Sequence, residues 1–224
     1  MKLYMHPVST ASRPVRLFIA ENGIKCDEEL VDILKGAHHQ EPYASINPNR
    51  LVPMLEDGDF RLTEGSAILK YLADKYDLPS YPKDLKKRAK VNEAMDWINT
   101  QGYRDFGYGL VYPQLFPHHK RRSDEAQAGA IAWGQQGARR WLEVLDKHWI
   151  GPKNQYLCGN DLTIADYFGA AIVSIGELID CDFSAYPNVQ RWLDNMKKLK
   201  SWDQVNGVFN GFVAGNKGKE FVGV

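Results

Sequence analysis

The sequence predicts a small α/β domain followed by an all-helical domain. Three observations support this. Strand-like and helix-like apolar segments alternate over residues 1–76, a stretch with two prolines follows at 77–84, and the later apolar segments have helical spacing. We therefore expect a β-α-β-α-β-β-α domain at 1–76, a linker at 77–84 and a helical domain at 85–224. The chain of 224 residues, 44% of them hydrophobic, can bury a sizeable core.

Each element of the first domain has its own signal. Residues 2–5 (KLYM) form an apolar strand, and residues 12–22 form a helix with proline in its first turn and Gly23 after its end. An alternating strand is predicted at 28–33 (EELVDI), and a short helix within 40–47. Residues 53–63 predict a hairpin with Asp57-Gly58 as its turn signal, and 64–76 predict an amphipathic helix.

The second domain is predicted to be helical throughout, with helices over 85–112, 123–149, 162–179, 186–199 and near 202–212. Ser123 is the expected N-cap of the second of these helices. The helix at 162–179 is the most apolar and is expected at the centre of the domain. Thr163 and Asp166 have the spacing of a capping box.

The charge balance narrows the range of partners. The chain has 28 basic and 28 acidic residues, so it lacks the basic excess of a nucleic-acid-binding protein. We expect small molecules and other protein chains as partners, and no membrane, because no apolar run is long enough to span one. The N-terminus shows no apolar core of a signal peptide. Cys26, Cys158 and Cys181 are an odd, scattered set, which favours a reducing, cytoplasmic location.

Three hydroxyl side chains crowd the predicted start of the first helix: Ser9, Thr10 and Ser12. One hydroxyl is enough to accept a hydrogen bond from the unpaired N–H groups of a first turn, and we expect Ser12 or Thr10 to do so. Capping explains one hydroxyl well and three poorly. A helix N-terminus also favours an anion, which is the functional alternative.

Several motifs together resemble those of the glutathione transferases. They are NPNRLVPML before the hairpin, LTEGSAILKYLADKY at the third helix, and GNDLTIADY at the capping box. Their order and spacing span nearly the whole chain, and VSTASR and LKGAHH are most similar to the theta class and related bacterial serine-type enzymes. The resemblance implies a thioredoxin-like N-terminal domain, a helical domain that carries the electrophile site, and a homodimer.

The resemblance also implies a role for Ser9. It matches the catalytic serine of the theta type, whose hydroxyl donates to the glutathione sulfur and favours the thiolate, the nucleophilic form. Thr10 and Ser12 are the competing candidates. A disulfide-exchange enzyme would carry Cys-x-x-Cys at this turn, where this chain has Ser9 and Ser12.

The remaining glutathione contacts are implied in the same way. Val52, before an expected cis-Pro53, would pair with the cysteinyl backbone, Glu64 would bind the γ-glutamyl ammonium, and His38 and Arg50 would bind the glycyl carboxylate. Gly65 stands where the family has a hydroxyl, so its backbone N–H and the adjacent Ser66 are the remaining donors. The full expected set is His38, His39, Arg50, Val52, Pro53, Glu64, Gly65 and Ser66. The resemblance implies glutathione as co-substrate. Adjacent histidines do not easily face one ion together, so we expect no metal.

The electrophile site is expected on the aromatic stretch 103–116, with Tyr103, Phe106 and Tyr108 as its lining. Core packing is the alternative for each of these aromatic side chains. The predicted function is glutathione transfer to a small apolar electrophile, with dehalogenation and peroxide reduction left open as related reactions. The alternative is a non-catalytic protein of the same fold that carries ligands or binds proteins.

Overall fold

The computed structural model describes all 224 residues. The first part of the chain contains β1 (Lys2–Met5), α1 (Ser12–Glu21), β2 (Asp27–Leu30), α2 (Tyr43–Ile46), β3 (Met54–Asp57), β4 (Phe60–Thr63) and α3 (Gly65–Lys75). The second part contains α4 (Leu85–Trp97), α5 (Tyr112–Leu115), α6 (Asp124–Val144), α7 (Ile164–Val173), α8 (Pro187–Lys197) and α9 (Trp202–Asn216). The predicted α/β-then-helical architecture, of the thioredoxin-like plus helical type, is confirmed.

The four strands form one mixed sheet in the order β2-β1-β3-β4. β1 is parallel to β2 and antiparallel to β3. β3 and β4 are antiparallel and form the predicted hairpin. Asp57 pairs with Phe60, so the hairpin turn itself is Gly58-Asp59, with Gly58 at φ +65°. Gly58 is the residue that can adopt this positive φ without strain.

β2 is shorter than predicted. The alternating pattern 28–33 predicted a half-buried strand, whereas all four strand residues are exposed and the strand ends at Leu30. Asp32 ends it, because its carboxylate accepts a hydrogen bond from the Lys35 N–H at 3.2 Å and starts a 3₁₀ turn at Ile33–Lys35. The apolar residue next to the strand, Val31, is the one that reaches the core.

The long helix after the linker changes its geometry along its length. α4 continues without a break into a π-helical segment, Ile98–Val111, and then into α5. Glycines in this segment permit close packing: a Cβ on Gly134 of α6 would lie 2.3 Å from the backbone of Gly109. A π-helical turn contains more residues than an α-helical turn, so different residues share a face of this segment. The α-helical period of 3.6 residues therefore does not predict which of its side chains are buried.

One apolar core runs through both parts of the chain. Phe18 of α1 meets Tyr167 of α7 edge to face, with ring centroids 5.2 Å apart. α7 is buried along its whole length, as predicted. None of the helices combines the length and the apolar character that crossing a bilayer requires.

The predicted capping box at the start of α7 is confirmed and is fully buried. The Asp166 carboxylate accepts hydrogen bonds from the N–H and hydroxyl of Thr163, both at 2.8 Å, from the Leu157 N–H at 2.8 Å and from Trp192 Nε1 at 2.9 Å. One carboxylate thus joins α7 to α8 and to the loop before α7.

Replacing this carboxylate should destabilise the whole fold. Asp166→Ala leaves four donors without an acceptor, so the free energy of unfolding should fall by about 3 kcal/mol or more. Ser123→Ala is the matched control, since Ser123 caps α6 at an exposed position by accepting from the Ala126 N–H, and its loss should cost about 1 kcal/mol. Urea unfolding measures the stability of both variants. Equal losses would contradict the assignment of Asp166 as the buried acceptor that joins α7 to α8.

Candidate functional site

Ser9 acts as a cap for α1, because the residue directly before the helix, Ala11, makes no side-chain bond and the Ser9 hydroxyl bonds to the first N–H of the helix. Its Oγ accepts a hydrogen bond from the Ser12 N–H at 3.2 Å, and its carbonyl accepts from the N–H groups of Ser12 and Arg13 at 3.1 and 3.0 Å. The Ser9 side chain is half-buried, and its own O–H proton is donated to no group in the chain. Ser9 therefore holds the helix start and still has a free donor.

The other two hydroxyls have different environments. Thr10 is buried, and its Oγ1 accepts a hydrogen bond from the Tyr112 hydroxyl at 2.7 Å. Ser12 Oγ is buried with no hydrogen-bond partner. The prediction that Ser12 or Thr10 is the cap is therefore wrong: α1 begins at Ser12, whose N–H is bonded by Ser9, and neither the Thr10 nor the Ser12 hydroxyl accepts an N–H of the first turn.

His6 belongs to the same turn and was missed by the sequence reasoning. Its Nδ1 accepts a hydrogen bond from the Val8 N–H at 3.3 Å, and its Nε2 lies 3.9 Å from the Asp32 carboxylate. Burial is the main cause that lowers the pKa of the imidazole. His6 faces the segment that continues from Asp32 to His38, and its one sequence signal was a histidine directly after the predicted strand at 2–5.

Val52 presents an unpaired piece of main chain before β3. The Val52–Pro53 peptide bond is cis, as predicted. The N–H and C=O of Val52 make no hydrogen bond within the chain, whereas the neighbouring Leu51 carbonyl accepts from Tyr43 and Asn47. A strand-like partner can therefore bind to Val52 through both main-chain groups.

The start of α3 presents a second group of unpaired donors. The N–H groups of Gly65 and Ser66 have no acceptor within the chain. Glu64 is exposed and holds φ +66°, ψ 113°, a backbone conformation that costs a non-glycine residue about 1–3 kcal/mol. The departure at Gly65 has a structural reason, because a Cβ there would lie 2.9 Å from the Ala11 carbonyl oxygen. The starts of α1 and α3 are thus in close contact.

The predicted cations lie on exposed segments. The rings of His38 and His39 are 3.9 Å apart in a 3₁₀ turn, Ala37–His39, and His38 Nδ1 is buried without a partner. Burial, followed by the neighbouring His39 and His118, lowers the pKa of His38. Arg50 is exposed and makes no ion pair. These side chains are therefore available to an added anion.

The aromatic stretch forms a cluster that differs in part from the predicted one. The rings of Tyr103 and Tyr108 lie 5.0 Å apart, and Tyr108 is 47% exposed. Phe106 is fully buried against Phe183 in the core, so the prediction that it lines an open cleft is corrected: side chains two positions apart on a helix point to opposite sides, and Phe106 faces the core while Tyr108 faces outward. The cluster has three further members that were not chosen as lining: Tyr112 and Phe116, which lie within the predicted stretch 103–116, and His119, which lies beyond it.

Arg104, beside this cluster, is bound to its neighbour. Its Nε and Nη2 donate to the Asp105 carboxylate at 2.6 and 3.1 Å. It is thus less available to a ligand than Arg50.

Comparisons with known proteins identify the family of this architecture. The profile of the family described as "Glutathione S-transferase, N-terminal domain" matches residues 1–74, and that of "Glutathione S-transferase, C-terminal domain" matches residues 113–200. Glutathione S-transferase theta-1 of Homo sapiens is 32% identical over 200 residues, which cover 86% of this chain and 80% of that protein. Dichloromethane dehalogenase of Methylophilus leisingeri is 30% identical over 203 residues, covering 88% and 72%.

A solved structure is similar over nearly its full length. The structure described as human glutathione transferase theta-2 in complex with glutathione and unknown ligand superposes with a TM-score of 0.84 at 26% identity. The match covers 99% of this chain and 92% of that one.

The hydrogen bonds of the turn predict opposite stability effects for its two serines. Ser12→Ala removes a buried hydroxyl that has no partner, so the free energy of unfolding should stay the same or rise by up to about 1 kcal/mol. Ser9→Ala removes the cap and should lower it by about 1 kcal/mol. Urea unfolding of both variants measures this, and a larger loss in Ser12→Ala would contradict the assignment of the cap.

Proposed function

Because the chain belongs to the glutathione transferase family, we propose that it stabilises the thiol of bound glutathione as a thiolate and directs it at a small apolar electrophile. One observation carries the proposal: at the start of α1, Ser9 Oγ is held by the Ser12 N–H while its own proton is free. A thiol is largely protonated at neutral pH, and only the thiolate is a good nucleophile.

Ser9 donates its hydroxyl proton to the glutathione sulfur in this proposal. Accepting the Ser12 N–H polarises the Ser9 O–H and makes it a better donor. The positive end of the α1 dipole acts on the same negative sulfur. Ser12 is a poor candidate for this role because its Oγ is fully buried, and the Thr10 Oγ1 is engaged by Tyr112.

The rest of the tripeptide binds to groups that the chain leaves unpaired. Val52 offers its N–H and C=O to the cysteinyl backbone of glutathione. The N–H groups of Gly65 and Ser66 at the start of α3 bind the γ-glutamyl carboxylate, and the strained Glu64 binds the ammonium. These backbone donors replace the side-chain hydroxyl for which position 65 has no room.

The glycyl carboxylate binds to the cationic side of the site. His38 and Arg50 are the proposed partners, with His39 next to them. A carboxylate beside His38 would raise the pKa of the imidazole, which burial lowers in the free protein.

Tyr103 and Tyr108 form one wall of the proposed electrophile site. In the reaction, the thiolate sulfur forms a bond to an electrophilic carbon, and the leaving group departs with the electrons of the broken bond. A halide is one such leaving group, and the similarity to a dichloromethane dehalogenase supports testing it. Reduction of a peroxide, in which the sulfur attacks oxygen, is a further reaction to test.

A non-catalytic carrier of the same fold is the alternative function, and the departure at Gly65 is the observation that favours it. Two experiments separate these functions. Retention on glutathione resin with elution by free glutathione tests binding. Turnover of a chloronitrobenzene, a dihalomethane, an epoxide and cumene hydroperoxide tests catalysis. Retention without any turnover would favour the carrier, and no retention would contradict the glutathione site.

Ser9→Ala should lower turnover much more than it weakens glutathione binding, since the sulfur is the only part of glutathione that the hydroxyl contacts in this proposal. A charge-assisted hydrogen bond contributes roughly 1.5–3 kcal/mol, which corresponds to roughly a 10- to 150-fold change in rate. The apparent pKa of the bound thiol, measured by thiolate absorbance against pH, should rise by about one to two units.

Ser12→Ala is the control for this variant and should leave that pKa unchanged. If Ser12→Ala raises the pKa and Ser9→Ala does not, Ser12 is the donor. If neither variant raises it, the serine mechanism is wrong for this protein.

Replacing all three cysteines should leave glutathione-dependent turnover largely intact. Burial raises the pKa of Cys26 and Cys181 to about 11 and of Cys158 to about 12, so none of them is a thiolate at neutral pH. Steady-state kinetics of the folded triple variant measures this. Loss of turnover would show that a protein thiol takes part.

The three free thiols also support the proposed location in the reducing cytoplasm.

We further propose a homodimer. Large apolar side chains are exposed on both parts of the chain: Leu51 is 62%, Phe60 43% and Trp133 54% exposed. Light scattering should give twice the chain mass of 25.5 kDa. A value of about 25.5 kDa at working concentration would contradict the dimer.

A further inference from the structure

A chain of three hydroxyls connects the aromatic cluster to the turn that carries Ser9. We propose that Tyr112 is a positioning residue for the thiolate donor and acts through Thr10. The inference rests on the proposed role of Ser9 and adds a residue to it from the other part of the chain. The juxtaposition is long-range, since Tyr112 and Thr10 are 102 positions apart in sequence.

The chain of hydroxyls is short, and its bond between Tyr112 and Thr10 is buried. The Tyr112 hydroxyl donates to Thr10 Oγ1 at 2.7 Å and lies 2.9 Å from the Tyr103 hydroxyl. Because Tyr112 has given its one proton to Thr10, Tyr103 is the donor in the second bond. Burial is the first cause that raises the pKa of both tyrosines, so both keep their protons at neutral pH. The direction of donation therefore runs from Tyr103 through Tyr112 to Thr10.

The bond from Tyr112 to Thr10 attaches the turn at residues 6–12 to α5. It is the only side-chain hydrogen bond that reaches residues 6–12 from another element, since the bonds of His6 and Ser9 stay within the turn. The imidazole of His6 approaches Asp32 only at 3.9 Å. Fixing the Thr10 side chain restricts the backbone of the residue before it, and the direction of the Ser9 O–H follows that backbone.

Tyr112 also packs against Tyr103 and Tyr108, which form the wall that the electrophile would contact. Its ring centroid lies 5.1 Å from that of Tyr108 and 6.0 Å from that of Tyr103. One side chain therefore contacts both the wall and the turn. A loose Tyr112 hydroxyl would leave the thiolate donor free to rotate at the moment when the electrophile arrives.

The test uses Tyr112→Phe, Thr10→Val, their combination and Thr10→Ser. Tyr81→Phe is the matched control, because Tyr81 is equally buried and its hydroxyl donates one bond, to Asn92 Oδ1 at 3.0 Å, away from the turn. The readouts are the apparent pKa of the thiol of bound glutathione, kcat, KM for glutathione and the melting temperature.

Tyr112→Phe and Thr10→Val should each raise the thiol pKa by about 0.5–1 unit and lower kcat roughly three- to tenfold, with KM nearly unchanged. The double variant should show no larger change than either single one, because both remove the same bond. Thr10→Ser should keep the wild-type pKa. Tyr81→Phe should lower the melting temperature and leave the pKa unchanged.

Each outcome decides between a positioning and a merely structural role. An unchanged thiol pKa in Tyr112→Phe, with a melting temperature lowered as in Tyr81→Phe, would overturn this inference alone. Additive pKa changes in the double variant would also overturn it. If Tyr112→Phe does not fold, Thr10→Val against Thr10→Ser supplies the same comparison. A wild-type thiol pKa equal to that of free glutathione would overturn the proposed function as well.

Discussion

The buried guanidinium of Arg13 is the constraint on which the arrangement of the site depends. The side chain is 1% exposed, leaves α1 and donates to the Ala171 carbonyl at 2.7 Å, to Asn206 Oδ1 at 3.0 Å and to Ser174 Oγ at 3.1 Å, above the ring of Phe209. No carboxylate bonds to it, and burial lowers its pKa to about 10, which leaves it charged at neutral pH. A buried charge tolerates few losses among its partners, so α1 keeps one position relative to α7 and α9.

The fixed start of α1 then becomes the point where three parts of the chain meet. Gly65 brings the start of α3, with its unpaired N–H groups, against the Ala11 carbonyl at the start of α1. Tyr112 reaches the turn from the helical part, and His6 faces the segment that leads to the cationic side. The free donor of Ser9 lies among these contacts. An anionic, strand-like tripeptide matches this combination of helix starts and unpaired main chain.

Local pattern was sufficient to predict much of the fold. The order of strands and helices, the β3–β4 hairpin and the capping box of Asp166 each depend on residues close in sequence, and all three predictions are confirmed. The missed features depend on distant contacts or changed geometry. Which hydroxyl caps α1 depends on where the helix begins, the burial of Phe106 depends on its packing against the distant Phe183, and the bond between Thr10 and Tyr112 joins residues that no short pattern relates. The assignments of glutathione contacts came from family resemblance and remain predictions.

The ionisation of the bound thiol is the property on which the proposed mechanism depends most directly. Calorimetric titration of the wild-type protein with glutathione near pH 7, in two buffers of different ionisation enthalpy, measures the protons released on binding. A free thiol with a pKa of about 8.5 is mostly protonated at that pH. If the thiol ionises on binding, a large fraction of a proton is released per bound glutathione. S-methylglutathione has no thiol proton, so its titration should show no such release. Equal proton release for both ligands would contradict thiolate formation at Ser9.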